Sequence, residues 1–186
     1  MVAELRPDYP DPMKAINWFA ADDSKTSVFL PLYGAISKVP SCFATGGDSD
    51  IMHASLQSAF WLFNIVAQMA YSNWEHVYPE IAAKIKSIED DYETQVKNID
   101  EKAKALYLTG YSEEATSILT EFCDNLGSGI VSTWYEFWLG LVPKYIDGYV
   151  KELSDERKFP NVRSVGYNGA WYERIVKETG DKYLVH

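Results

Sequence analysis

Two short apolar runs lie close together near the start of the chain. Residues 15–22, AINWFAAD, and 26–33, TSVFLPLY, are rich in aromatic and β-branched side chains, and Asp22-Asp23-Ser24-Lys25 between them has turn chemistry. The pattern predicts a β-hairpin. Pro31 brings no N–H, which places the second run at a sheet edge or a bulge. Both runs are apolar at odd and even positions, as in a sheet covered on two sides. A hairpin alone is marginal, so other strands, inside or outside this chain, are expected to complete the sheet. Before the hairpin, Pro7, Pro10 and Pro12 make residues 1–14 an extended entry segment rather than a helix.

After a loop over 34–54 the period changes. Residues 55–75 carry Ala59, Phe60, Leu62, Phe63, Val66, Ala67, Met69 and Ala70 around most of a helical circumference, which predicts a buried helix with Ser55 as its cap. Pro79 suits the first turn of a second helix reaching about Leu108. There Ile81, Ile85, Ile88, Tyr92, Val96, Ile99, Ala103 and Leu106 recur at steps of three and four, a narrow seam suited to a helical hairpin. Gly110 ends it.

A short helix over 112–119 follows, with Glu113 and Glu114 at its dipole-favoured start. A further helix is expected over 125–141, capped by Asp124 and closed by Pro143. Gly127, Ser128 and Gly129 weaken the start of the latter. Residues 153–169 read as surface loop, and 171–177 as a last helix stopped by Gly180. The expected class is α+β and mainly helical: one hairpin near the N-terminus, then four or five helices. A single domain over 1–186 is expected, with hairpin and loop over 1–54, a helical region over 55–150, and loop and terminal helix over 151–186. Phe29, Phe60, Phe63, Val66, Ile85, Trp134 and Phe137 are the expected core.

Composition narrows the chemistry. At 47% hydrophobic and 15% aromatic residues, an ordered core rather than disorder is expected. A net charge of −10 argues against nucleic acid and anionic membrane as partners. Cys42 and Cys123 form no ligand-spaced motif and read as buried thiols, with a disulfide between them left open. Neither a secretory signal nor a membrane-length apolar run is visible in this chain, and no compartment is implied. Cys42 with His53 or His76 would need an imidazole within hydrogen-bond reach of sulfur, and structural roles are favoured for all three. Asp22-Asp23 is read as serving its turn rather than as an acid–base pair or cation site. TGGDSD at 45–50 lacks the trailing glutamate of a calcium loop. It is read as a surface loop, with the edge of a substrate cleft as the second choice. No catalytic, cofactor-binding or metal-binding residue is therefore assigned.

Several stretches taken in series carry a resemblance. They are Leu5-Arg6, Trp18-Phe19-Ala20-Ala21-Asp22-Asp23, Thr26-Ser27-Val28-Phe29-Leu30-Pro31-Leu32-Tyr33 with Val39-Pro40, and Ser58-Ala59-Phe60-Trp61-Leu62-Phe63-Asn64 with Val66-Ala67. Towards the end come Lys144-Tyr145-Ile146-Asp147-Gly148, Gly166-Tyr167 and Thr179-Gly180-Asp181-Lys182. In these the chain resembles the cysteine N-terminal-nucleophile dipeptidases, the dipeptidase A family, relatives of the secernins. The resemblance implies an αββα sandwich in the complete enzyme and hydrolysis of dipeptides by a cysteine exposed when a leader is removed, its own α-amine acting as base.

This chain opens Met1-Val2-Ala3, so the expectation is a C-terminal structural portion without the nucleophile, inactive by itself. Its expected partner is the N-terminal catalytic portion of the same enzyme, or a second copy covering the sheet edge, with dipeptide bound only in the complete enzyme. The alternative is a non-catalytic helical interaction or scaffold module of that descent, alone or as a homo-oligomer.

Overall fold

In the computed structural model, residues 1–44, 49–152, 159–164, 166–167 and 169–183 are described. The expected class is the observed one: a small antiparallel sheet near the N-terminus and, among the described residues, four helices. The hairpin is one strand richer than its sequence pattern. β1 (Val2–Leu5), inside the stretch read as an extended entry, pairs with β2 (Ala15–Phe19), and β2 pairs with β3 (Leu30–Tyr33). The prolines following β1 sit outside the ladder, in a turn and a short 3-10 segment, Asp11–Met13, that return the chain to β2.

Two bonds fix the phase of this sheet. The Arg6 N–H donates to Lys14 O at 2.8 Å, and the Gly34 N–H donates to Ala15 O at 3.1 Å. With the registers Glu4↔Ile16 and Trp18↔Pro31, alternate residues of β2 then face β1 and β3. Pro31 falls where its nitrogen points away from β2, so its missing N–H costs the ladder nothing. Its carbonyl accepts instead from the Cys123 thiol at 3.4 Å. On β1 the same phase turns the backbone groups of Ala3 and Leu5 outward, to an edge that no described strand covers.

Helix α1 (Ala59–Ser72) begins after Ser58 rather than Ser55, whose hydroxyl serves a local turn at Gln57. A single residue, Asn73, separates it from α2 (Trp74–Leu108). Pro79 lies inside the second turn of α2 rather than starting it. At Gly110 the backbone takes φ 88°, the left-handed stop glycine allows. The two helices expected beyond it are one, α3 (Ser112–Tyr145). Leu119, Cys123, Leu126, Ile130 and Trp134 make one continuous buried stripe across the proposed break, and that packing overrides the weak propensity of Gly127-Ser128-Gly129. Within the stretch read as loop, β5 (Asn161–Ser164) pairs with β4 (Tyr149–Glu152), residues 153–158, 165 and 168 lying outside the described residues. Helix α4 (Gly169–Thr179) runs into a 3-10 turn, Gly180–Tyr183, the last described element.

Each about 50 Å long at 1.5 Å per residue, α2 and α3 form the spine. Two cores lie along it. Near one end α1 packs Leu62, Phe63, Val66 and Ala70 against Val77 and Ile81 of α2 and Ile130 and Trp134 of α3, with Phe63 edge-on to Trp134 at 5.3 Å. Near the other end the sheet packs Ile16 and Tyr33, with Met13, on Val96, Ala103, Leu119 and Cys123. Of the expected core, Phe63, Val66 and Trp134 are buried, whereas Phe29, Phe60, Ile85 and Phe137 are half-buried at its margins. Both faces of β2 and β3 are covered, as their pattern predicts: on the outer face Leu30 is buried and Asn17, Phe19 and Leu32 are half-buried, and exposure is confined to Val2, Ala3 and Leu5 of β1.

A buried ion pair ties sheet to spine. Arg6 Nη1 donates to Asp100 Oδ2 at 2.5 Å and Nη2 to Met13 O at 2.7 Å, while Tyr33 donates its hydroxyl to Asp100 Oδ1 at 2.8 Å. The two charged side chains are 9% and 7% exposed, and the guanidinium lies over the Tyr9 ring at 4.2 Å. Asp100→Ala should cost about 3–5 kcal/mol in urea unfolding because it strands a buried cation, whereas Arg6→Met with Asp100→Leu should recover most of that loss.

At Gly127 a Cβ would stand 2.7 Å from Pro40 Cβ and 3.0 Å from Cys42 Sγ; at Gly129 it would meet nothing within 4 Å. Gly127→Ala should therefore destabilise by about 1–3 kcal/mol. Gly129→Ala should stabilise by about 0.5–1 kcal/mol through helix propensity, read as opposite shifts in the denaturation midpoint.

Candidate functional site

The end of β2 and the first turns of α1 meet in a groove. Beyond Phe19 the chain turns at Asp22, the one non-glycine residue with positive φ (66°) among those described. Aspartate tolerates that region through its short polar side chain. The Asp23 carboxylate accepts the Lys25 N–H at 2.9 Å, so the pair does serve its turn, as the sequence suggests. It also docks on α1. Asn64 Nδ2 donates to Asp22 Oδ1 at 3.2 Å, and the Tyr71 hydroxyl donates to Asp23 Oδ2 at 2.5 Å. Hydrogen bonding to Asp23 pushes the Tyr71 hydroxyl up to about 12.

Next to this acidic turn is a cavity of about 280 Å3 walled by Phe19, Ala21, Cys42, Phe43, Phe60 and Trp61. Phe19 and Phe43 meet edge to face at 5.0 Å, and Phe60 and Trp61 do so at 5.2 Å. The Trp61 indole is fixed by donation of its N–H to Asp50 O at 3.0 Å. His53 Nδ1 lies 2.9 Å from both carboxylate oxygens of Asp50, and that contact holds the Asp50 carboxyl below its ordinary range.

Neither cysteine lies within hydrogen-bond reach of a described histidine. Cys42 and Cys123 are both free and buried, so the disulfide left open does not form. Burial pushes the Cys42 thiol up to about 12 and the Cys123 thiol up to about 11. No described histidine bonds either sulfur. His53 pairs with Asp50, and His76 Nδ1 lies 2.8 Å from Asn73 Oδ1. The two histidines flank the opposite ends of α1, a helix about 20 Å long. Of the TGGDSD stretch, residues 45–48 lie outside the described residues; Ser49 and Asp50 border the cavity. No set of three metal-ligating side chains converges among the described residues.

A larger hollow, about 810 Å3, lies where α2 begins and α3 ends, beside β4. Its polar groups largely satisfy one another: Glu80 accepts from the Tyr145 hydroxyl at 2.5 Å and from Lys144 Nζ at 2.6 Å. Among the described residues its lining holds no cysteine, serine or threonine.

Residues 1–87 match the model of peptidase family C69. Over these residues the chain is similar to peptidase family C69. The family is one of dipeptidase-type peptide hydrolases. No curated protein matches the chain. The C69 segment takes in the sheet, the acidic turn, the aromatic cavity and α1, and it ends within α2. The groove is thus assembled from residues of the matched segment.

Sequence reasoning named Asp22, Asp23 and Cys42 but missed Trp61, Asn64 and Tyr71. Their spacing of three and seven puts them on one helical stripe, a signal masked by the apolar residues that fill the rest of α1.

A thiol whose ordinary value of 9.0 is raised in the fold stays protonated when folded, and unfolding releases its proton above that value. Stability should therefore fall as pH rises above about 9. At pH 8 a disulfide thiol reagent should label neither cysteine until denaturant is added, and both thereafter, measured by absorbance.

Proposed function

We propose that this chain is the rear structural portion of a dipeptidase. Its sheet joins the catalytic sandwich, its helices back that sandwich, and its aromatic groove walls the substrate cleft. The attacking N-terminal cysteine lies outside this chain. The observation that carries the reading is the sheet. Its β1 edge is open among the described residues, with Val2 58% and Leu5 78% exposed, and an unpaired apolar edge calls for a partner. The two buried, high-pKa thiols support it, because neither is a credible nucleophile. That partner is the N-terminal catalytic portion of the same enzyme.

Purified 1–186 should release no amino acid from simple dipeptides. Its combination with a catalytic portion that starts at a free cysteine should. Turnover by 1–186 alone, lost in Cys42→Ala, would overturn the proposal.

A second reading, a non-catalytic interaction module that pairs with its own copy, is favoured by α4. There Trp171, Tyr172, Ile175 and Val176 are 39%, 52%, 37% and 68% exposed. Size-exclusion chromatography separates the two: a stable dimer that no catalytic portion displaces supports the module.

A further inference from the structure

We propose that the aromatic cavity between β2 and α1 is a specificity pocket. It receives the large apolar side chain of a dipeptide's N-terminal residue while Asp22 holds the free ammonium group. The inference rests on the dipeptidase reading and adds which end of the substrate sits here and which side chains it prefers.

The cavity has the right size and walls. About 280 Å3 is the low end of ligand sites and suits one side chain rather than a whole drug-sized molecule. Phe19, Phe43, Phe60 and Trp61 offer edges and faces to an aromatic or branched aliphatic group. The walls are preset: two edge-to-face pairs fix the rings, and the Asp50 carbonyl fixes the Trp61 indole. Little ordering is left for the ligand to impose.

The charges choose the amino end. No Lys or Arg lines the cavity among the described residues, and Asp50 does, so a carboxylate is disfavoured there. Asp22 follows Ala21 of the wall directly and is exposed. Asn64 engages its Oδ1, and no described residue donates to its Oδ2. In an N-terminal residue the ammonium is attached to the carbon that bears the side chain. A side chain seated beside Ala21 therefore brings its own ammonium to the neighbouring carboxylate. Asp23 is the less available carboxylate, since Lys25 and Tyr71 already engage one oxygen each.

The test follows the Trp61 indole N–H signal in 15N-labelled chain, assigned with Trp61→Phe, against Phe-Ala, Gly-Ala and N-acetyl-Phe-Ala. Phe-Ala should move that signal and bind at least about tenfold more tightly than Gly-Ala. Acetylation or Asp22→Asn should each weaken binding by about tenfold or more. Asparagine also accepts the left-handed backbone of position 22, so this variant keeps the turn. Ala21→Leu should fill the cavity and abolish the response, with the other indole signals showing that the fold persists.

A Trp61 signal that stays still with Phe-Ala both in the chain alone and in the completed enzyme, or that moves equally with the acetylated peptide, overturns the assignment. So does a completed enzyme that cleaves Phe-Ala and Gly-Ala equally and is indifferent to Asp22→Asn, an outcome that leaves the dipeptidase reading standing. Binding at Trp61 in a completed enzyme that cleaves no dipeptide upholds the pocket and removes the reading beneath it.

Discussion

The contact on which the molecule depends is the Arg6–Asp100 pair, which joins residues 94 positions apart. Two long helices are easily formed from local contacts, but a three-stranded sheet this short cannot stand alone. Arg6 closes the β1–β2 connection by bonding Met13 O, and Asp100 presents it with a carboxylate already engaged by Tyr33 of β3. One buried charge cluster thereby fixes all three strands against α2. Its partners satisfy both carboxylate oxygens, which is the condition under which burying such a pair is tolerable.

The rest of the architecture follows from where the spine is covered. The sheet covers the α2–α3 hairpin near its far end and α1 covers it nearer Trp134, as two neighbouring cores that share Trp18 and Phe122 at their border. The groove with Asp22, Asn64 and the aromatic walls opens where the end of the sheet meets the start of α1. Gly127 also contributes to the seam. Without a side chain there, α3 approaches Pro40 and Cys42 closely enough to bury the thiol that floors the cavity. Sulfur at the groove is thus a packing atom, and the groove's polar chemistry comes from Asp22, Asp23, Asp50, the Asn64 amide, the Trp61 indole N–H and the Tyr71 hydroxyl.

The hydrophobic pattern alone located β2, β3, α1 and the α2 seam, because each buries a face whose period is visible locally. It also marked Pro31 as an edge residue and the two cysteines as buried thiols. The family resemblance was legible in residues such as Trp18-Phe19-Ala20-Ala21-Asp22-Asp23, which fall inside the matched 1–87 segment. β1 was hidden because its four residues have mixed polarity and are followed by three prolines; only pairing with β2 makes them a strand. The continuity of α3 was hidden because propensity at Gly127-Ser128-Gly129 points one way and burial of Leu126, Ile130 and Trp134 the other.

What the sequence determined by itself is therefore the class of fold, a resemblance to one peptidase family and the order of most elements. These depend on short-range periodicity and on residue identity. Tertiary structure decided which charges are buried, which oxygens of the acidic turn are taken, and that aromatic residues from three separate segments enclose one cavity. Those facts arise from contacts between residues tens of positions apart, and no local period encodes them.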